Sequence, residues 1–438
     1  MIDIKLVREN PDAYKKAASQ KNIKVDIDLL LELDTQIREA KQAAEVVRVE
    51  RNTLAAQAKS GKPTPEAIAR GKELKEALAI AEGKLAPLEK QFLDVMVKMP
   101  TIPSPDSPEG KDDSQNVEAL KWGTPRVFDF KPLTHSEIAE RCDLIDFEKG
   151  NKTAGFRGYY LKNEGARLVM ALMMFAVDKM SRKGYTVMIP PTLVRAHALF
   201  GSGYFKGAEF DPEIDEVYQV ASSDKEKDGT SSKERKFLVG TAEPSLLAYY
   251  ADETLKESEL PVRVAGFSSC YRSEIGSYSK DVKGLYRVHE FFKVEQVVLC
   301  RADLAEANAL QEEMVGISRE IHEDLGLPYR LLSICTGDMS SGKYKAFDIE
   351  AWMPGLDRYG ETGSASNFLD WQARRLNARY AAADGSKKFL YMLNNTALPS
   401  PRPLIAILEN GQNADGSVTI PEVLRMYMGG QEKILPRK

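Results

Sequence analysis

Cysteine is scarce in this chain of 438 residues, and the four present, Cys142, Cys270, Cys300 and Cys335, share no C-x-x-C spacing. That argues against a disulfide framework and a structural zinc site, and for buried cytosolic thiols. Long apolar runs are missing too. The longest, Leu168 to Val177, falls short of the roughly 20 residues a membrane span needs. Met1-Ile-Asp-Ile-Lys-Leu-Val-Arg8 puts charges where a leader peptide would have its apolar core. The expectation is a soluble, cytoplasmic protein with no membrane partner. The sequons at Asn151-Lys-Thr153 and Asn394-Asn-Thr396 mean little in that compartment. Neither a P-loop nor a Rossmann glycine fingerprint occurs, and Gly201-Ser-Gly-Tyr-Phe-Lys-Gly207 has the wrong spacing and reads as a turn. H-E-x-x-H and G-x-S-x-G are absent, and His135, His197, His289 and His322 stand isolated, as structural histidines do. Nor is there an excess of basic charge. With 65 acidic against 61 basic residues the net charge is −4, so any nucleic-acid contact must come from a local patch.

What is present begins with periodicity. The length allows two to four domains. Leu30, Leu33, Ile37, Ala40, Ala44, Val47, Arg51, Leu54 and Ala58 alternate steps of three and four. After a breaker, Ser60 to Pro65, the pattern resumes at Ala67, Gly71, Leu74, Leu78, Ala81, Leu85, Leu88, Phe92, Val95 and Met99. Thr64 fits an N-cap and Pro65 a first helical residue. Two such seams joined by a turn predict an antiparallel coiled-coil hairpin over about 28–99, each arm reaching roughly 45–50 Å. Pro87 should kink the second arm. Arg38, Lys41, Arg48, Arg51, Lys59, Lys62, Arg70, Lys72 and Lys75 lie along it, interleaved with acids. By themselves they read as a solvated face. Pro100 to Gln115 is a linker by composition, so a first domain of 1–110 and a second of 111–438 are expected.

Beyond the linker, helices and strands mix without βαβ regularity. Helices are expected over Gly165 to Lys183, Glu243 to Leu255, Leu304 to Asp324, Leu369 to Ala382 and Arg402 to Asn410. Strands are expected over Tyr185 to Ile189, Lys236 to Val239, Lys345 to Trp352 and Lys388 to Leu393. Ser222 to Arg235 is a charged insert. The class is α+β, an antiparallel sheet carrying helices. Cys270-Tyr-Arg-Ser-Glu274 and Phe291-Phe-Lys-Val-Glu295 read as a strand, a long loop and a returning strand. Arg272 and Glu274 would point one way, and Phe291, Lys293 and Glu295 would line one face of the partner strand, so that a cation, an aromatic plate and carboxylates converge on one floor. Guanidinium for phosphate, ring for base and carboxylate for an amine or hydroxyl suit a nucleotide; a salt-bridged amphipathic hairpin fits equally well. Thr241-Ala-Glu243 offers a hydroxyl and a carboxylate, or a helix cap. Tyr359 to Ser366 follows a strand and sets Glu361 and Ser364 three apart, suiting magnesium on a triphosphate or a polar turn. Leu393 to Arg402 runs from a strand through a short loop, placing Arg402 at a helix N-terminus where phosphate binds well.

Together these segments resemble the class II aminoacyl-tRNA synthetases, with Pro190, Arg272 and Arg402 in the places of the three class motifs. The nearer likeness is to the seryl-tRNA synthetases, in Thr241-Ala-Glu243, Arg272-Ser-Glu274, Phe291 to Glu295, Glu361 to Ser364 and the helical hairpin. It covers nearly the whole chain in order. The resemblance implies an enzyme that makes seryl-adenylate from serine and ATP and passes serine to the terminal adenosine of tRNA(Ser), and of tRNA(Sec) where one exists. It implies a homodimer and an arm that grips the tRNA. Arg272, Glu274 and Arg402 would be catalytic. Arg272 would bridge the α-phosphate and the serine carboxylate, Phe291 would stack on adenine, Glu274 would meet its amine, and Arg402 would hold the γ-phosphate. Glu361 and Ser364 would hold magnesium through ATP. Further ATP contacts fall on Ser273, Val288, His289, Glu290, Thr362 and Gly363. Serine falls to Thr241, Ala242, Glu243, Glu295 and Thr396. One departure stands out: Asn395 to Arg402 lacks the glycines many bacterial members carry there, and Pro399 and Pro401 remove two N–H donors. Two rivals are weaker. A ligase loading a carrier protein would lack the long arm, and a non-catalytic paralogue binding RNA or a partner would have lost Arg272, Glu295 or Arg402.

Overall fold

The computed structural model describes residues 1–58, 64–221, 224–230, 232, 234–275 and 284–437. Contacts divide it into two units, Met1–Pro100 and Thr101–Lys438. The division falls at Pro100 and not at 110, because the expected linker is stitched to the second unit. The Thr101 N–H donates to the Ser341 carbonyl and that of Ser104 to Tyr344, both at 2.8 Å, while Thr336 N–H donates to the Pro108 carbonyl at 2.9 Å.

The first unit holds two short helices, α1 (Ile4–Glu9) and α2 (Pro11–Gln20), and two long ones, α3 (Ile27–Ala58) and α4 (Pro65–Met96). Each long helix has 32 residues, about 48 Å at 1.5 Å per residue. Every seam position whose side chain is described is buried or half-buried, while off-seam Val46 and Ile80 are 64% and 61% exposed. The side chain of Thr64 caps α4 by accepting from Ala67 N–H, and Pro65 is the first residue. Pro87 lies inside α4, which runs past it as one helix. Ion pairs cross between the arms at Lys41–Glu89 (2.7 Å), Arg48–Glu82 (3.2 Å) and Arg70–Glu50 (2.7 Å). Residues 59–63, which hold Lys59, Lys62 and the first part of the breaker, lie outside the described residues.

The second unit is built on eight strands: β1 (Val117–Trp122), β2 (Thr186–Met188), β3 (Val262–Tyr271), β4 (Glu290–Cys300), β5 (Tyr329–Ser333), β6 (Lys345–Met353), β7 (Arg358–Asn367) and β8 (Tyr391–Pro399). Their order across the sheet is β1-β5-β6-β7-β8-β4-β3-β2, antiparallel throughout except for the parallel pair β3–β2 at one edge. Helices α5 (Asn163–Arg182), α6 (Glu243–Ala248), α7 (Leu304–Asp324) and α8 (Pro401–Gly411) pack on it. The main core joins Leu168 and Leu172 of α5, Ile317 and Ile321 of α7, Leu404 and Ile405 of α8, and Val294 and Val298 of β4.

Several elements differ from expectation. The helix expected over Glu243 to Leu255 ends at Ala248, and that expected over Leu369 to Ala382 is only Trp371–Leu376. Asp252 (φ 61°) and Asn377 (φ 52°) turn the chain into the left-handed region, and the released segments, Thr254–Lys256 and Arg379–Ala381, pair as parallel strands. The strand expected over Lys388 to Leu393 divides at Leu390, and its second half runs on to Pro399. No loop then separates β8 from α8: Ser400 alone lies between, so Pro399 ends a strand and Pro401 opens a helix. Tyr359 to Ser366 is no turn after a strand but the body of β7.

Candidate active site

Strand β3 ends at Tyr271, so Arg272 and Glu274 do not share a strand face. Arg272 is tied back to the returning strand: its N–H donates to the His289 carbonyl at 2.9 Å, and its own carbonyl accepts from His289 Nδ1 at 2.8 Å. Glu274 adopts φ 54° and turns its carboxylate to Arg287, 2.6 Å away. Much of the loop between them, residues 276–283, lies outside the described residues. The guanidinium of Arg272 sits 5.4 Å from the centre of the Phe291 ring. Arg402, in the first turn of α8, donates to the Tyr286 carbonyl (3.1 Å) and to the carboxylate of Glu361 (3.1 Å), and lies 4.4 Å over the Tyr286 ring. Arg272, Glu274, Val288, Phe291, Glu361, Thr362, Gly363 and Arg402 line one cavity.

Glu361 and Ser364 are three apart, and on a regular strand they would face opposite ways. A bulge removes the conflict. Ile349 pairs with Gly363 and Glu350 with Glu361, which leaves Thr362 as the extra residue. Thr362 faces the back of the sheet, where its hydroxyl meets His322 Nε2 at 2.7 Å. The Ser318 carbonyl accepts from Nδ1 of the same ring, so Nε2 takes the hydroxyl proton. Burial pushes His322 down to about 4, and the ring stays neutral.

A second cavity is lined by Thr241, Glu243, Glu295, Ser364, Asn394 and Thr396 among others. Alternation along β8 explains the Asn-Asn-Thr run. Asn394 donates to Glu243 Oε1 at 2.7 Å, while Asn395 points the other way, to the Met314 carbonyl and Ser318 hydroxyl of α7. Glu243 also accepts from Gln372 at 2.6 Å. Helix α6, which carries Glu243, lies close on β3: a Cβ at Gly266 would come within 2.8 Å of the Ala242 side chain. Thr241 does not cap that helix, since Ala242 is its N-cap, and the buried Thr241 hydroxyl has no hydrogen-bond partner among the described residues.

Arg272, Lys293, Glu361 and Thr396 line both cavities and form the wall between them. Lys293 and Glu295, two apart on β4 and 5% and 3% exposed, pair at 2.7 Å. Such a pair is costly to bury and costlier to break. Burial, then the nearby charge of Glu295, pushes the Glu243 carboxyl up to about 7. Burial, then Glu361, likewise pushes Asp348 up to about 7. Burial acts on Glu361 in the same sense, but Arg402 and then Arg272 outweigh it and hold its carboxyl below the usual range. Four of the expected residues stand outside both walls: Ala242 packs on Gly266, His289 braces Arg272, the Ser273 hydroxyl is buried without a partner among the described residues, and Glu290 is exposed.

Residues 1–103 match the Seryl-tRNA synthetase N-terminal domain, and residues 222–411 the tRNA synthetase class II core domain (G, H, P, S and T). A serine–tRNA ligase of Deinococcus radiodurans is 42% identical over 434 residues, 99% of this chain and 98% of its own. The chain belongs to the seryl-tRNA synthetase family. Two solved members share its fold from end to end. The seryl-tRNA synthetase of Pyrococcus horikoshii, complexed with ATP, has a TM-score of 0.87 and 34% identity, covering 100% of both chains. The cytoplasmic serine–tRNA ligase of Naegleria fowleri, in complex with AMP, has 0.85 and 29%, covering 100% of this chain and 99% of its own. Family membership makes the two-part architecture, helical hairpin and class II catalytic domain, that of a seryl-tRNA synthetase. Sequence reasoning missed several wall residues: Asn394, Tyr286, Arg287 and, from the second cavity, Tyr204 and Lys343. Asn394 could have been found, since it shares a strand face with Thr396. Gln372 reaches Glu243 from a helix far along the chain, and no local pattern marks it.

Proposed function

We propose that the first cavity takes ATP, the second takes serine, and seryl-adenylate forms at the wall between them. The chain is a serine–tRNA ligase of class II, and this reading assigns its parts. The observation that carries it is that the two cavities meet at Arg272. One guanidinium there can neutralise both an α-phosphate and a serine carboxylate and bring them in line. Activation needs positioning and charge neutralisation, with no protein nucleophile. Arg402 reaches the γ-phosphate from its helix start, exchanging Glu361 for phosphate oxygens. Phe291 exchanges its Arg272 contact for adenine, and Glu274 meets the adenine amine.

In the second cavity the ammonium of serine faces Glu243 and Glu295, and its hydroxyl meets Thr396 and the unpartnered hydroxyl of Thr241. Alanine would leave those buried groups unpaired and be rejected strongly. Among the described residues no group of three or more acidic, histidine or cysteine side chains could cage a metal. Glu361 and Ser364, on one face because of the bulge, fit an ion held mainly by phosphate oxygens. Magnesium bound there would neutralise charge on the triphosphate. The α3–α4 hairpin is read as the tRNA-binding arm, and the protein as a cytoplasmic homodimer charging tRNA(Ser), and tRNA(Sec) where present. No helix of the described residues is long and apolar enough to cross a membrane.

The test is amino-acid-dependent ATP–pyrophosphate exchange on the intact chain and on Arg272→Ala. Exchange with serine and not with alanine, threonine or glycine is expected, with a loss of at least about a thousandfold in the variant. Exchange that survives Arg272→Ala would sink the assignment of the wall.

A further inference from the structure

Behind the nucleotide cavity, one buried polar cluster ties four segments of the second unit together. His135, 2% exposed, opens the helix His135–Arg141. Its backbone N–H and its ring Nδ1 meet Glu409 Oε1 at 2.9 and 2.8 Å. Glu409, fully buried, lies on α8 with Arg402, and its Oε2 accepts from the Gly355 N–H at 2.9 Å. On the far side of the ring, Nε2 faces the Leu285 N–H at 3.1 Å. A backbone amide can only donate, so Nε2 accepts and the ring proton sits on Nδ1, pointing at the carboxylate. Space at this contact is nil. A Cβ at Gly284 would lie 2.1 Å from Nε2, and Gly284 has φ +80°, a conformation glycine adopts without strain.

Leu285 precedes two residues that matter to the cavity. Tyr286 offers its carbonyl and ring to Arg402, and Arg287 holds the Glu274 carboxylate. Glu409 sits two helical turns beyond Arg402 on the same helix. The imidazole therefore joins the returning leg of the loop to the helix that carries Arg402. We infer that His135 is a positioning residue for the nucleotide cavity: it sets the height of Tyr286 against Arg402, and acts on ATP binding through the Leu285 amide. This rests on the assignment of that cavity to ATP.

Two variants separate the bonds. His135→Asn reaches only as far as Nδ1 and keeps the Glu409 contact while losing Leu285. His135→Gln reaches as far as Nε2 and can accept from Leu285. In serine-dependent ATP–pyrophosphate exchange, H135N should raise KM for ATP about tenfold, the size of one buried hydrogen bond. KM for serine should be unchanged, and H135Q should restore KM for ATP to within about threefold of wild type. Thermal unfolding of the same proteins reports the purely structural contribution. Equal effects of the two variants on KM for ATP, or parallel rises in KM for both substrates, would overturn the inference. So would failure of both to fold, since His135 would then be a general scaffold. Absence of exchange in the unaltered protein would instead strike at the ATP assignment itself.

Discussion

Glu243 carries a charge question that can be read in two independent ways. Its carboxyl ionises at about 7 when folded, against 4.5 when free. A raised carboxyl favours the folded state below the unfolded value, and that contribution is lost as pH rises through the folded one. Glu243→Gln, which keeps an oxygen for Asn394 and Gln372, removes the dependence. Its unfolding free energy should gain on wild type by roughly 2–3 kcal/mol between about pH 5 and pH 8. Parallel stability curves would show that the carboxyl is not under strain. On the proposed assignment of Glu243 to the serine ammonium, serine binding runs the other way, because the ammonium needs the ionised form. KM for serine should climb as pH falls below about 7 in the wild type and stay flatter in the variant. At this scale the sequence was a good guide to which side chains line the cavities and a poor one to their neighbours. Thr241, Glu295, Glu361 and Thr396 were legible because each sits in a short run of mixed polar types. The Glu243–Gln372 contact was not, since 129 positions separate its members.

The elements were legible where one period runs long. The seams of α3 and α4 were readable residue by residue, because a hairpin has no other face to bury. Short helices were overextended. Amphipathic spacing continued past Ala248 and Leu376, while a left-handed Asn377 capped the second helix and a left-handed Asp252, four residues past the end of the first, turned the chain away. Strand β7 was read as a segment following a strand, a magnesium site or a polar turn, since its glycines are low in β propensity. The sheet accepts it because its neighbours on both sides supply the ladder. Pro87 is the remaining tension at this scale. A proline inside a helix removes one bond and crowds the preceding turn, which costs about 3 kcal/mol. Pro87→Ala should therefore stabilise the Met1–Pro100 unit by roughly 1–3 kcal/mol in urea unfolding followed by circular dichroism. A destabilised variant would mean that a bend at Pro87 is part of how α3 and α4 pack.

For the whole molecule, the division at Pro100 permits a clean cut. Wall and cavities belong entirely to Thr101–Lys438, and the α3–α4 hairpin entirely to Met1–Pro100. Deleting residues 30–98 should leave serine-dependent pyrophosphate exchange within a few-fold of normal and reduce aminoacylation of tRNA(Ser) to background. Loss of both activities would contradict this division of labour. The basic residues of the arm do not act as a bare cationic rod. Arg38, Lys41, Arg48 and Arg70 already pair with carboxylates of the hairpin. Exposed pairs of this kind are worth at most about 1 kcal/mol each, so phosphates can displace the carboxylates. Charging should therefore weaken with salt more steeply than adenylate formation does.

The single extra residue at Thr362 also fixes what kind of genetic change this chain can absorb. Glu361 stands on one side of the count, and Ser364 and Ser366 on the other. Exchange of one side chain for another leaves the count intact. Loss or gain of one codon between Glu361 and Ala365 changes it, and turns a row of cavity-facing side chains into the back of the sheet. The register of the segment is thus indifferent to spelling and sensitive to length, and a one-residue gap there in any relative should be accompanied by a compensating gap on the facing strand.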